Sequence, residues 1–170
     1  MRNILVPTDF SKNARNAAEY AIAYAKAIKA NVVLLHVYHI PAPPSIDGSY
    51  FEPIPLEEIK LEIEKQLKRE VARLKRKTGV GVKHISKMGL ASDIILKEEK
   101  TASCLVMGMS GSNSASELLI GSVTTTVMRQ SKKPVFVIPE KASYKKPGKV
   151  VFAWDYNPKM NVKLVNLLKW

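Results

Sequence analysis

The chain has 170 residues, 46% of them apolar and 25% charged, which suits one globular domain with a core of its own and excludes general disorder. No apolar run approaches the roughly 20 residues of a membrane span, and Met1 to Pro7 is too short an apolar run for a signal peptide. Lys and Arg number 27 against 15 Asp and Glu, a net charge of +12 that raises the question of polyanions, while the single Cys104 cannot bridge within the chain and suits a reducing cytoplasm.

Ile4-Leu5-Val6 reads as a short buried strand. From Ser11 to Lys29, Ala14, Ala17, Ala18, Ala21, Ile22, Ala25 and Ile28 recur at helical spacing, with Ser11 as a candidate N-cap. So many alanines predict a helix packed close to a sheet. Val32 to Val37 is a second strand, apolar almost throughout, as in parallel sheets covered on both faces. Tyr38 to Pro55 carries five prolines and reads as a long loop. Leu56 to Lys77 is the strongest predicted helix, striped by Leu56, Ile59, Ile63, Leu67, Val71 and Leu74. Glutamates come early in it and cations late, as the dipole favours, and Gly79 stops it.

Val80 to Ile85 is a third strand, placed near an edge. Ser92 to Lys100 follows as a short helix with Ser92 or Asp93 near its cap, and Ser103 to Met107 as a buried fourth strand. Ser116 to Ser131 holds helix interrupted by Gly121, and Pro134 to Pro139 is a fifth strand whose flanking prolines suit an edge. Strands and helices alternate throughout. This predicts an open parallel α/β sheet with right-handed crossovers and helices on both faces. Lys149 to Tyr156 then echoes Asn3 to Phe10, each a strand ending in Asp-aromatic. The expected organisation is a domain at 1–140, a basic linker at 141–148, and at 149–170 the start of an incomplete second repeat or a C-terminal extension.

The chemistry concentrates in Gly108-Met109-Ser110-Gly111, nine residues, then Gly121-Ser122. Glycines let backbone approach a ligand, consecutive free N–H groups make an anion nest, and a helix start at Ser122 favours phosphate. In open α/β sheets ligands lie beyond the carboxyl ends of strands where strand order reverses, which would set Pro7-Thr8-Asp9 across a crevice from Gly108. Other readings compete. The glycines could form only a turn or a close-packing site, and Asp9 could only cap a helix. His36 reads as structural, and His39 and His84 lack partners at metal spacing. No Gly-x4-Gly-Lys-Ser/Thr occurs, His84 breaks a dinucleotide fingerprint at Gly79-Val80-Gly81, and no cation lies between Gly108 and Gly121. Backbone donors and hydroxyls suit binding more than phosphoryl transfer.

Residues 1 to about 139 resemble the universal stress protein family through Ile4 to Ser11, Leu34-Leu35-His36-Val37, Val106-Met107-Gly108 and the glycine spacing, and the tail resembles the start of a second domain in tandem members. The resemblance implies a Rossmann-like, adenine nucleotide alpha hydrolase-like sheet of order 3-2-1-4-5 that binds ATP or a related adenine nucleotide. Asp9 and the Val37 backbone would hold adenine, and Pro7, Thr8 and Gly108 would lie by the ribose. Gly111, Gly121 and Ser122 would hold phosphates, with Ser122 near any magnesium ion. Met107, Ser110 and Val123 complete the implied nucleotide-binding set. It further implies a stress-response sensor or regulator, and a homodimer paired through Pro134 to Pro139, where Val135, Phe136 and Val137 form the contact. A weak ATPase or phosphotransferase using the same pocket is the alternative. A nucleic-acid partner, suggested by charge alone, is disfavoured because no recognition helix or stacking motif is evident.

Overall fold

The computed structural model describes residues 2–39, 55–76, 78–110, 120–151 and 153. Five parallel strands run in the order β3-β2-β1-β4-β5. They are β1 (Asn3–Pro7), β2 (Asn31–Tyr38), β3 (Val82–Met88), β4 (Cys104–Gly108) and β5 (Val135–Ile138). Four helices connect them: α1 (Lys12–Ile28), α2 (Leu56–Lys75), α3 (Ala91–Glu98) and α4 (Ser122–Gln130).

The strand alternation splits the core into two layers. Ile4, Val6, Val32, Leu34, Cys104 and Val106 face α1 and α2, whereas Leu5, Leu35, Leu105 and Met107 face Ile95 of α3 and Val127 of α4. Both faces are thereby covered, which is why the central strands are apolar along their length. The edge strands β3 and β5 are only partly buried, as the sequence predicts. The alanine face of α1 is buried from Ala14 to Ala25 and lets this helix sit close on β4. Its Ser11 cap accepts a hydrogen bond from the Ala14 N–H at 3.2 Å.

Several boundaries differ from the sequence reading. The third strand begins at Val82, not Val80, and continues to Met88, because its ladder with β2 extends to the Tyr38–Met88 pair. Ser92 and Asp93 stand near the N-cap of α3, as the sequence predicts. Leu90 takes the cap position itself without a side-chain bond, and both polar residues lie inside the first turn. The helix leaves α geometry after Glu98 through a 3-10 turn, Glu99–Thr101. There the buried Glu99 carboxylate accepts from Ser131 Oγ and, at 3.1 Å, from the Lys132 N–H, tying the end of α3 to the turn before β5. Gly121 is the N-cap of α4, and the helix expected before it, from Ser116, falls within 111–119, outside the described residues.

After β5 the chain turns back over α1. Asn16 Nδ2 donates to the carbonyls of Pro139 at 2.9 Å and Ala142 at 3.0 Å, and the Tyr144 ring packs against Tyr20 and Tyr24. The first part of the segment read as a linker is thus laid along the helix. Lys149 to Val151 form no strand, and the other positions of the expected repeat, 152 and 154–170, lie outside the described residues.

Burial pushes the Cys104 thiol up to about 11. The expected result is that thiol reagents at mildly alkaline pH label the unfolded chain and leave the native protein unlabelled, measured by mass spectrometry. Because the folded value is raised, stability contributed by the neutral thiol is complete below about pH 9 and declines from there towards pH 11.

Candidate functional site

Strand order reverses between β1 and β4, so the chain leaves these two strands in opposite directions along the sheet. The loops after them define a crevice at their carboxyl ends. Pro7 closes β1 opposite Leu35. Thr8 is buried and held on three sides. Its N–H donates to the Leu35 carbonyl at 2.8 Å, its carbonyl lies 2.8 Å from His36 Nδ1, and its Oγ1 accepts from the Phe10 N–H at 3.1 Å. His36 is therefore a positioning residue for the loop. Its ring also packs on Phe10, the centroids 4.5 Å apart. Phe10 adopts φ 62°, a left-handed conformation that costs a bulky residue on the order of 1 kcal/mol, so this turn is held by its contacts and not by local preference. Asp9 is exposed, and one of its carboxylate oxygens accepts from the Ser11 N–H at 3.0 Å.

Val37 stands two residues beyond Leu35, so its N–H and C=O point to the same side, past the place where β1 has ended. On the opposite wall, Gly108 ends β4. A Cβ there would lie 3.0 Å from the Asn13 carbonyl carbon and 3.1 Å from its oxygen. The glycine is needed for this close approach of α1. The Gly108 carbonyl accepts from Thr124 Oγ1 at 3.0 Å, and the Gly121 N–H donates to the Met109 carbonyl at 2.9 Å, so the start of α4 is tied to the end of β4. The α4 N-terminus has no side-chain cap, leaving its first N–H groups and its dipole end directed at the crevice. Ser122 and Val123 are exposed in that first turn.

The fold thus brings Pro7, Thr8 and Asp9, the Val37 edge, Gly108, Ser110, Gly121, Ser122 and Val123 to one end of the sheet. Met107 contributes its backbone there, its side chain being buried in the α3 and α4 layer. Gly111 lies outside the described residues. Two residues were missed by sequence reasoning. Asn13 donates through Nδ2 to the buried Ser110 Oγ, and Thr124 holds the Gly108 carbonyl. Neither carries a local signal, since Asn13 looks like any polar residue of a first helical turn. Among the described residues no group of three or more His, Cys, Asp or Glu side chains could hold a metal ion, and no helix is long and apolar enough to cross a membrane.

An open parallel sheet of order 3-2-1-4-5, with a glycine-lined crevice where the order reverses and an uncapped helix beside it, defines an α/β protein of the doubly wound class. The chain belongs to the universal stress protein family, whose family model matches residues 1–139. It is 32% identical over 162 residues to Universal stress protein MJ0577 of Methanocaldococcus jannaschii, covering 84% of this chain and 97% of the relative. A solved structure of MJ0577 superposes with a TM-score of 0.54 at 30% identity, over 86% of this chain and 98% of that one. Two further family structures share the fold. One, a complex with cAMP, has a TM-score of 0.61 at 22% identity, covering 82% of this chain and 97% of that one. The other, from Archaeoglobus fulgidus in complex with dAMP, has a TM-score of 0.57 at 21% identity, covering 81% and 97%.

Proposed function

We propose that this protein binds ATP or a related adenine nucleotide in the crevice between β1 and β4 and acts as a stress-response sensor or regulator. The observation that carries the reading is the convergence of Gly108, with its glycine-dependent backbone approach, and the uncapped N-terminus of α4 on one crevice. An anionic phosphate is favoured by those N–H groups without any cationic side chain. Asp9 and the Val37 backbone would hold the base, Pro7, Thr8 and Gly108 the ribose, and Gly121, Ser122 and Val123 the phosphates, together with Ser110 and Gly111. The exposed Ser122 hydroxyl suits a place beside a phosphate-bound magnesium ion. Complexes of two family members with cAMP and dAMP support the adenine class. Calorimetric titration of the purified protein with ATP and magnesium tests the reading, and nucleotide released on denaturation should be identified by mass spectrometry. A stripped protein that takes up no adenine nucleotide would refute it.

Regulation is favoured over turnover because no Lys or Arg stands between Gly108 and Gly121 to stabilise a moving phosphoryl charge. Steady-state phosphate release is expected to fall far below the roughly 1–100 s⁻¹ of dedicated kinases. A rate inside that range, surviving controls for contaminants, would favour the ATPase reading.

The partner proposed for the fold is a second copy. β5 is an edge strand with Val135, Phe136 and Val137 only partly buried, and an apolar edge invites pairing. Sedimentation at tens of micromolar should give a dimer for the intact chain and a monomer for Val137→Lys. A monomeric intact chain would exclude this pairing.

A further inference from the structure

The amino end of the sheet, opposite the crevice, collects charge that the sequence scatters. In a parallel α/β sheet every helix returns to the same edge, so the ends of α1 to α4 and the turns leading into the strands lie together. Backbone bonds knit this edge into one surface. The Asn31 N–H donates to the Arg2 carbonyl, Ser103 to Asn3, Leu105 to Pro134 and Val32 to Gly81, all within 2.8–2.9 Å. Exposed Lys26 and Lys29 end α1, and exposed Lys75 and Arg76 end α2. Lys97 and Lys100 flank the end of α3, Arg129 and Lys132 the end of α4, and Arg2 precedes β1, all exposed. The carboxylates of the corresponding segments are Glu98, which lies 3.9 Å from Lys87, and Glu99, which is buried and occupied by Ser131 and Lys132.

The plain alternative is that these cations merely complement helix dipoles. The magnitudes decide against it. Four helix C-termini supply roughly half a negative charge each, about two in all, against eight exposed cations at the helix ends. Even with both glutamates counted, a clear positive excess remains. The edge of five strands is roughly 19 Å wide, and a nucleic-acid duplex carries one charge per about 1.7 Å.

We propose that this amino edge is a docking surface for nucleic-acid duplex, held through backbone phosphates without base readout. That mode needs neither a recognition helix nor a stacking platform, whose absence from the sequence argued against nucleic acid. An anionic membrane is less well matched. Interfacial insertion needs a cluster of apolar side chains, and the exposed Met88, Leu90, Ile120 and Val123 belong to the opposite end of the sheet, whereas Met128 in the last turn of α4 stands by itself among the cations of this edge.

The test is fluorescence anisotropy of a labelled duplex of arbitrary sequence with the full chain, repeated over a salt series. Binding should weaken with a log–log salt slope of about −5, as for roughly six phosphates neutralised. The Lys29→Glu, Lys100→Glu, Lys132→Glu triple variant should lose affinity on the order of a hundredfold at low salt. Lys12→Glu, Lys65→Glu, Lys141→Glu makes the same change in net charge away from this edge and should lose less than about threefold. Replacement of the three edge lysines by Gln repeats the measurement without introduced repulsion, should the Glu variant fold poorly. Equal losses in the edge and control variants would overturn the surface in favour of net charge alone. No duplex binding at low salt, or tighter binding to phosphatidylserine vesicles or polyglutamate than to duplex, would overturn the proposal.

Discussion

A folded Gly121→Val protein is expected to lose ATP affinity by about a hundredfold, the equivalent of one or two hydrogen bonds to a charged group at about 1.5–3 kcal/mol each. Gly121 caps α4 at φ −62° and ψ 151°, torsions open to any residue, so valine imposes no backbone strain. Its N–H is already engaged by the Met109 carbonyl. What valine changes is the space in front of the Ser122 and Val123 N–H groups, where the phosphates are proposed to lie. Circular dichroism should be unchanged and thermal stability nearly so. Calorimetry with ATP and magnesium then reads the site alone, and undiminished affinity in the folded variant would remove the proposed phosphate position.

Gly108→Val should behave in the opposite way, acting first on the fold. The added Cβ would meet the Asn13 carbonyl carbon at 3.0 Å, its oxygen at 3.1 Å and the Ala14 nitrogen at 3.3 Å. All three are backbone atoms of the first turn of α1, which cannot rotate away as a side chain end could. The helix must shift off β4, loosening the contacts of Ala14 and Ala17 and the Asn13–Ser110 bond. Overpacking against immovable neighbours costs about 3 kcal/mol. For a domain of this size that lowers Tm by roughly 6–12 °C. Gly108→Ala should show a smaller part of the same loss. A Tm within a degree of the parent for Gly108→Val would show that α1 accommodates the side chain, and the glycine would then belong to the ligand alone.

Most of the fold was legible in the chain because the signals are local. Apolar runs such as Val32 to Leu35 announce strands buried on both faces, and the alanine spacing of α1 announces a helix close to a sheet. The Ser11 cap was readable because its bond reaches only three residues ahead. The third strand and the end of α3 were misread for one reason: their limits are set by partners. β3 runs as far as β2 offers a ladder, and α3 ends where Glu99 turns inward to Ser131.

By itself the sequence determined the alternation of elements, the two-sided core and the glycine spacing that marks the crevice, all of which follow from side-chain periodicity and backbone freedom. The tertiary structure decided what those residues do for one another. Only in the fold does Gly108 meet the backbone of Asn13, 95 positions earlier, and only there does His36 hold Thr8. The gathering of Arg2, Lys29, Lys100 and Lys132 at one edge likewise depends on parallel topology, which returns every helix to the same side. Contacts and fields of this kind depend on distance in space, and a linear pattern carries distance only along the chain.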